Sequence, residues 1–207
     1  LLGEEGCKRI QAVAMDMNAG YELEVQAQCP QAKIVFDLYH VVAKFNREVT
    51  DRVRVDEANR LRDDKPARKI VKSARWLLLR NRKNLKTEQR ISLSELLAAN
   101  RRLMTIYVLK DDLKHLWDYR YEGAARRFWK RWYSRAIRSR IDPLKKFAQK
   151  LKGYVEGIFS HCRYRLHTGL LEGMNNKIKV IKRMAYGYRD DEYFFLKIRQ
   201  AFPGNPS

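Results

Sequence analysis

Apolar and polar positions follow two rhythms along this chain. Near the start, the run Gln11–Met15 (QAVAM) ends in Asp16, and the run Ala32–Phe36 (AKIVF) ends in Asp37. Short apolar runs bounded by turn-forming residues predict buried strands. Between them Asn18, Ala19 and Gly20 open YELEVQAQC, a short helix that Pro30 stops. Strand, Asp, helix, strand, Asp, helix is the order of an α/β unit with parallel strands. Reactive groups in such sheets gather at the carboxyl ends of strands, where Asp16 and Asp37 stand.

From His40 the period becomes helical. Val41, Val42, Phe45, Val49, Val53 and Val55 recur at helix spacing to about Arg60. Pro66, suited to a first helical turn, opens a predicted helix to Leu85. Ile70, Val71, Ala74, Leu77 and Leu78 form its apolar side, and Lys69, Lys72 and Arg75 lie on the other. Thr87, or Ser92 with Glu95, supplies helix caps. Long helices are predicted over Leu96–Tyr119 and Glu122–Arg140, and a further one from Asp142–Pro143 to about His161. A helix carrying Glu172 and a tail helix from Asp190 to Phe202 close the chain. The expected organisation is a partial α/β segment over 1–62, a basic helical insertion over 63–165, and returning helices over 166–207.

Charge changes this picture most. The 207 residues hold 44 Lys and Arg against 24 Asp and Glu, a net charge of +20. Such an excess draws polyanions to the surface, with nucleic acid as first candidate and anionic membrane as second. At 45% hydrophobic with ten Gly and five Pro, the chain reads as folded rather than disordered. No apolar run approaches a membrane span. Three widely spaced cysteines, Cys7, Cys29 and Cys162, give neither a zinc knuckle nor a paired disulfide framework and suit a reducing, intracellular setting. No nucleotide-binding glycine loop or serine-hydrolase elbow occurs, and no small-molecule substrate is expected.

The candidate chemistry is therefore carboxylate chemistry. Asp16 and Glu172 are the acids expected to bind Mg²⁺ or Mn²⁺, hard ions that prefer oxygen ligands. Two such ions about 4 Å apart activate a water or a 3′ hydroxyl and stabilise the leaving oxygen of a phosphodiester. The plainer alternatives are a turn residue after a strand for Asp16 and a helix-dipole partner for Glu172. Asp37 and His40 form a D-x-x-H pair one helical turn apart, where a hydrogen bond would fix the imidazole tautomer. A packed histidine is the competing reading. Trp129 and Trp132 would stack on an unpaired base or, as their periodicity favours, pack between helices.

The stretch VAMDMNAGYELEVQAQCPQAKIVFDLYHVVAKFNREVTDRVR resembles DDE transposases of bacterial insertion sequences, in the ISL-three group with a ribonuclease H-like domain and a long helical insertion. LLEGMNNKIKVIKRMAYGYRDDEYFFLKI is similar to the region that supplies the last acid of that family. The resemblance runs from about Gln11 to Pro203. It implies a predominantly helical chain, an α/β remnant of a ribonuclease H-like domain carrying a large all-helical insertion. It also implies DNA strand cleavage and transfer by three acids that hold two divalent ions. Asp16 matches the second Asp and Glu172, in L-E-G-x-N-N, the final Glu, while Asp37 and His40 match an accessory D-x-x-H; an alternative alignment makes Asp37 the second Asp. Asn175 and Asn176 would position the helix terminus or touch the substrate backbone. Lys177, Lys179, Lys182 and Arg183, with the insertion's Lys69, Lys72 and Arg75, would contact phosphates of double-stranded DNA. The first Asp of the pattern, usually in I-D-E, has no counterpart among the fifteen residues before Asp16. The expectation is a carboxyl-terminal fragment inactive alone. Self-association, a non-catalytic DNA-binding remnant or partner of a full-length transposase, and an RNA-binding helical protein are the alternatives.

Overall fold

The computed structural model describes residues 3–166, 169–185 and 187–203, without the side chains of 170–172 and 175. It divides into two compact units, Leu1–Leu166 and His167–Ser207.

In the first unit, α1 (Gly3–Arg9) leads into β1 (Ala12–Met15), α2 (Ala19–Gln28) and β2 (Lys33–Phe36). The strands pair in parallel, from Ala12 opposite Lys33 to Met15 opposite Phe36. The predicted strands hold to within a residue at their starts. Asn18 opens α2 by accepting a hydrogen bond from Gly20 N at 2.9 Å. A helical crossover between the strands is the expected way to join parallel neighbours.

Next comes a helical run: α3 (Leu38–Phe45), a π-helical stretch Asn46–Thr50, and α4 (Asp51–Arg60). Val41, Phe45, Val49 and Val53 follow one another every four residues, and all four are fully buried. A strict spacing of four outruns a turn of about 3.6 residues and would carry the apolar row around the helix. The wider π turn absorbs that drift and keeps the row facing the core.

The remaining helices of this unit are α5 (Lys65–Ser73), α6 (Arg75–Leu79), α7 (Thr87–Ala99), α8 (Arg101–Lys114), α9 (Glu122–Arg138), α10 (Asp142–Lys152) and α11 (Val155–Phe159). Three predicted long helices are broken, each for a visible reason. The helix from Pro66 halts at Leu79 because Lys110, on α8, donates to the carbonyls of Leu78 and Leu79 in its last turn. The helix expected over Leu96–Tyr119 is split at Asn100, whose Oδ1 accepts from Leu103 N at 2.9 Å and so starts α8 afresh. The segment beyond Asp142 breaks at Gly153 before α11. Asp142 is the first residue of α10 rather than its cap, and Thr87 is the first residue of α7, preceded by Lys86, whose N–H donates to Gln89 Oε1 at 3.1 Å.

One apolar core runs from Met15 in β1 to Phe159 in α11, with Phe45, Leu103, Leu113, Trp132 and Leu144 at its most enclosed positions. Phe45 and Phe147 meet edge to face with centroids 5.0 Å apart, a favoured geometry for aromatic pairs. Trp132 is satisfied by donating to Leu109 O at 2.8 Å. Glu57, 8% exposed, is held by Arg102 at 2.8 Å, Arg60 at 3.2 Å and the Asn100 amide at 2.9 Å. That network ties α4 to the start of α8.

The second unit holds α12 (Gly169–Met184) and α13 (Asp191–Ala201). Asp190 caps α13, accepting from Glu192 N at 2.9 Å and Tyr193 N at 3.1 Å. The described residues are predominantly helical, with a two-stranded parallel sheet in the first unit, consistent with a ribonuclease H-like core carrying a helical insertion. Among the described residues, no helix is long and apolar enough to cross a membrane.

Candidate active site and nucleic-acid surface

Asp16 and Asp37 are the residues immediately beyond Met15 and Phe36, the last paired positions of β1 and β2. The parallel register therefore delivers both to the same carboxyl edge of the sheet. Their side chains then part ways. Asp37 is buried and caps α3, its Oδ1 accepting from Tyr39 N at 3.1 Å. Asp16 keeps its side chain 52% exposed, and its Oδ1 accepts from Met17 N at 2.6 Å. His40, one turn into α3, brings its Nδ1 to 3.9 Å from the same Asp16 oxygen. Tyr39 stands edge-on to the imidazole, with ring centroids 5.5 Å apart.

Packing behind this edge is tight. Trp117 donates its indole N–H to Phe36 O at 3.1 Å, anchoring the last residue of β2 before Asp37. Helix α11 closes onto the same strand through Gly157, where a Cβ would stand 2.5 Å from the Phe36 ring. Only glycine permits that approach. Arg126 braces the outer side, binding Glu122 at 2.7 Å and both oxygens of Glu156. Those two carboxylates, Glu156 foremost, raise its pKa.

An exposed carboxylate at a strand end, with one oxygen outside any described bond, is a suitable donor for a hard divalent cation. Asp37 is less so, because its carboxylate is already committed to the helix start. Among the described residues no group of three or more His, Cys, Asp and Glu is placed to hold a metal ion. Glu172 and Asn175 lie in α12, but their side chains are outside the described residues.

The predicted phosphate contacts divide by environment. Lys69 and Lys72 are exposed on α5. Arg75 is not a free cation: its Nε and Nη2 donate to Asp51 at 2.9 and 3.0 Å. Hydrogen bonding to Asp51 raises its pKa. Lys177 donates to Ala201 O at 2.7 Å and lies 4.8 Å from the Phe202 ring, so it ties α12 to the end of α13. Lys179, Lys182 and Arg183 are exposed along α12, as is Asn176. Trp129 and Trp132 stack on each other with centroids 5.3 Å apart and are buried, in agreement with packing rather than base stacking. Trp76 is the tryptophan that reaches solvent, 64% exposed. Sequence reasoning did not single it out. The available signal was its place opposite Val71 and Leu78 on the helical wheel.

Strand-end carboxylates, a helical insertion and a cationic surface meet in one chain, and comparison with known proteins defines the class. The family model described as a transposase, of the DDE type and ISL3 group, matches residues 1–198, and the chain belongs to that family. It is 63% identical over 198 residues to the transposase for insertion sequence element IS1001 of Bordetella parapertussis, covering 96% of this chain and 49% of the relative. It is 27% identical over 212 residues to the transposase for insertion sequence element IS1557 of Mycobacterium tuberculosis, covering 92% and 47%. The chain spans about half the length of the curated relatives it matches. No solved structure matches it.

Proposed function

We propose that this chain acts in the transposition of an insertion sequence, binding double-stranded DNA and supplying Asp16 and Glu172 to strand cleavage and transfer. The observation that carries the reading is the exposed Asp16 carboxylate at the end of a parallel strand, in a chain of the DDE family. Mg²⁺ or Mn²⁺ bound by such acids would polarise the scissile phosphodiester and lower the pKa of the attacking hydroxyl. Asp16 offers the carboxylate, and its bond to Met17 N fixes the orientation of one oxygen. His40 stands beside that oxygen, with its Nδ1 3.9 Å away. Asp37 acts on shape, starting α3 at the angle that brings His40 back toward Asp16. Glu172 serves as the family's final acid, and Asn175 and Asn176 as positioning groups beside it. Exposed Lys69, Lys72, Lys179, Lys182 and Arg183 hold phosphates, which sets register on DNA without reading sequence. The setting is the bacterial cytoplasm at the nucleoid.

The test is cleavage of DNA bearing the element's ends, in Mg²⁺ or Mn²⁺, by a transposase that carries this sequence. Asp16→Asn and Glu172→Gln should each reduce cleavage by about a hundredfold or more while leaving DNA binding intact. Undiminished cleavage by either variant would remove that residue from the reaction. A second reading, a DNA-binding partner of a complete transposase, is favoured by the exposed Lys69, Lys72, Lys179, Lys182 and Arg183, whose phosphate contacts need no metal ion. It predicts salt-dependent DNA binding that is indifferent to divalent ions.

A further inference from the structure

Trp76 differs from the other tryptophans in its exposure. The other three tryptophans are buried, and those at 117 and 132 spend their indole N–H on main-chain carbonyls. Trp76 is 64% exposed. It lies in α6, joined to α5 by a turn at Ala74, whose N donates to Ile70 O at 3.1 Å and whose O accepts from Leu78 N at 3.0 Å. Val71, Ala74 and Leu78 are buried. Lys65, Lys69 and Lys72 follow at steps of four and three residues on the side of α5 away from Val71, and exposed Trp76 opens the next helix four residues beyond Lys72. All three lysines are exposed.

The indole is also braced. The Arg75 guanidinium lies 5.5 Å from its ring centroid, and two bonds to Asp51 hold that guanidinium in place. A supported aromatic surface that follows a row of exposed ammonium groups along the chain has the chemistry of a single-strand nucleic-acid site. Cations track the backbone, and the π-face accepts any base. A duplex keeps its bases stacked inside and offers this indole nothing comparable.

We infer that Trp76 is a stacking platform for an unpaired DNA base, with Lys65, Lys69 and Lys72 holding the phosphates of the same strand. The inference rests on the reading that this protein handles transposon DNA, and adds that a frayed, flipped or displaced base is held on the helical insertion. The site lies within the first compact unit and needs no residue of the second.

The test compares two DNAs on the full chain: a blunt duplex, and the same duplex with an unpaired thymine-rich overhang. Trp76→Ala should weaken binding to the overhang DNA by about 5- to 100-fold, and to the blunt duplex by less than about twofold. Trp76→Phe, which keeps a π-face, should retain most of the affinity. Overhang DNA should quench wild-type tryptophan emission more than blunt DNA, and the excess should vanish in Trp76→Phe. Lys69→Gln with Lys72→Gln should weaken both DNAs and reduce the salt dependence by about two counterions. Equal losses on both DNAs, or none, overturn the inference and leave the transposition reading standing. A Trp76→Ala effect confined to sedimentation makes the residue a protein contact, with the same consequence. Failure of the wild-type chain to bind either DNA removes both.

Discussion

Lys110 is enclosed in the core at 2% exposure, and it should make the stability of this protein depend on pH in an unusual direction. Burial, and then the charge of Lys114, lower its pKa from 10.5 to about 8, against a smaller opposing effect of Asp111. The native state therefore holds fewer protons than the unfolded chain between those two values, and stability rises with pH through the window. The full difference corresponds to about 3 kcal/mol. Between about pH 7 and about pH 9.5 the part recovered is about 2 kcal/mol. Other groups also titrate, so the quantity to follow is the gap between the wild type and Lys110→Met, which has no proton to lose at this position. Near neutrality the two should be similar in stability: the variant sheds a buried charge but strands the carbonyls of Leu78 and Leu79 that the ammonium holds. Urea unfolding followed by circular dichroism, repeated across the window, should show the wild type gaining about 2 kcal/mol on the variant. Tyr107, with its ring 5.1 Å from the ammonium, is itself pushed upward by burial, so the series stops below the tyrosine range. Parallel curves for the two proteins would show that Lys110 is hydrated and that its hold on α6 is not a buried one.

Two further substitutions probe the frame behind the strand ends. Gly157→Ala places a methyl group 2.5 Å from the Phe36 ring and should cost about 1–3 kcal/mol by overpacking, read as a lower urea midpoint with an unchanged slope; an unaffected midpoint would mean that α11 does not press on β2. Glu57→Ala removes the acceptor shared by Arg102, Arg60 and Asn100 and should cost about 2–3 kcal/mol. A double-mutant cycle with Arg102→Met should recover part of that loss, and strict additivity would count against the network.

The strand ends were legible because each is a short apolar run closed by an acid, a pattern that local sequence carries whole. Parallel pairing then follows from the connecting helix, and it places Asp16 beside Asp37 without further information. Two of the helix breaks were only partly legible, because groups far along the chain help to fix them. Lys110 reaches back to the end of α6, and Glu57 binds the Asn100 that starts α8. The D-x-x-H spacing pointed to Asp37 as the partner of His40, whereas the described polar contact of His40 is with Asp16 at 3.9 Å, a neighbour set by the sheet and not by helix periodicity. Charge count gave the polyanion surface, yet it could not tell exposed Lys69 and Lys72 from Arg75, which Asp51 neutralises. Aromatic spacing correctly favoured packing for Trp129 and Trp132. The exposed indole at Trp76 needed the opposite, buried face of its helix to be known first.

The proposed function requires the Asp16 carboxylate to meet a divalent ion during strand cleavage. Asp16→Cys, in a transposase that carries this sequence, exchanges a hard oxygen donor for a soft sulfur one, which Mn²⁺ tolerates better than Mg²⁺. Cleavage of end-bearing DNA should be lost in Mg²⁺ and return in part when Mn²⁺ replaces it. Cleavage at the parent rate in Mg²⁺ would contradict the assignment.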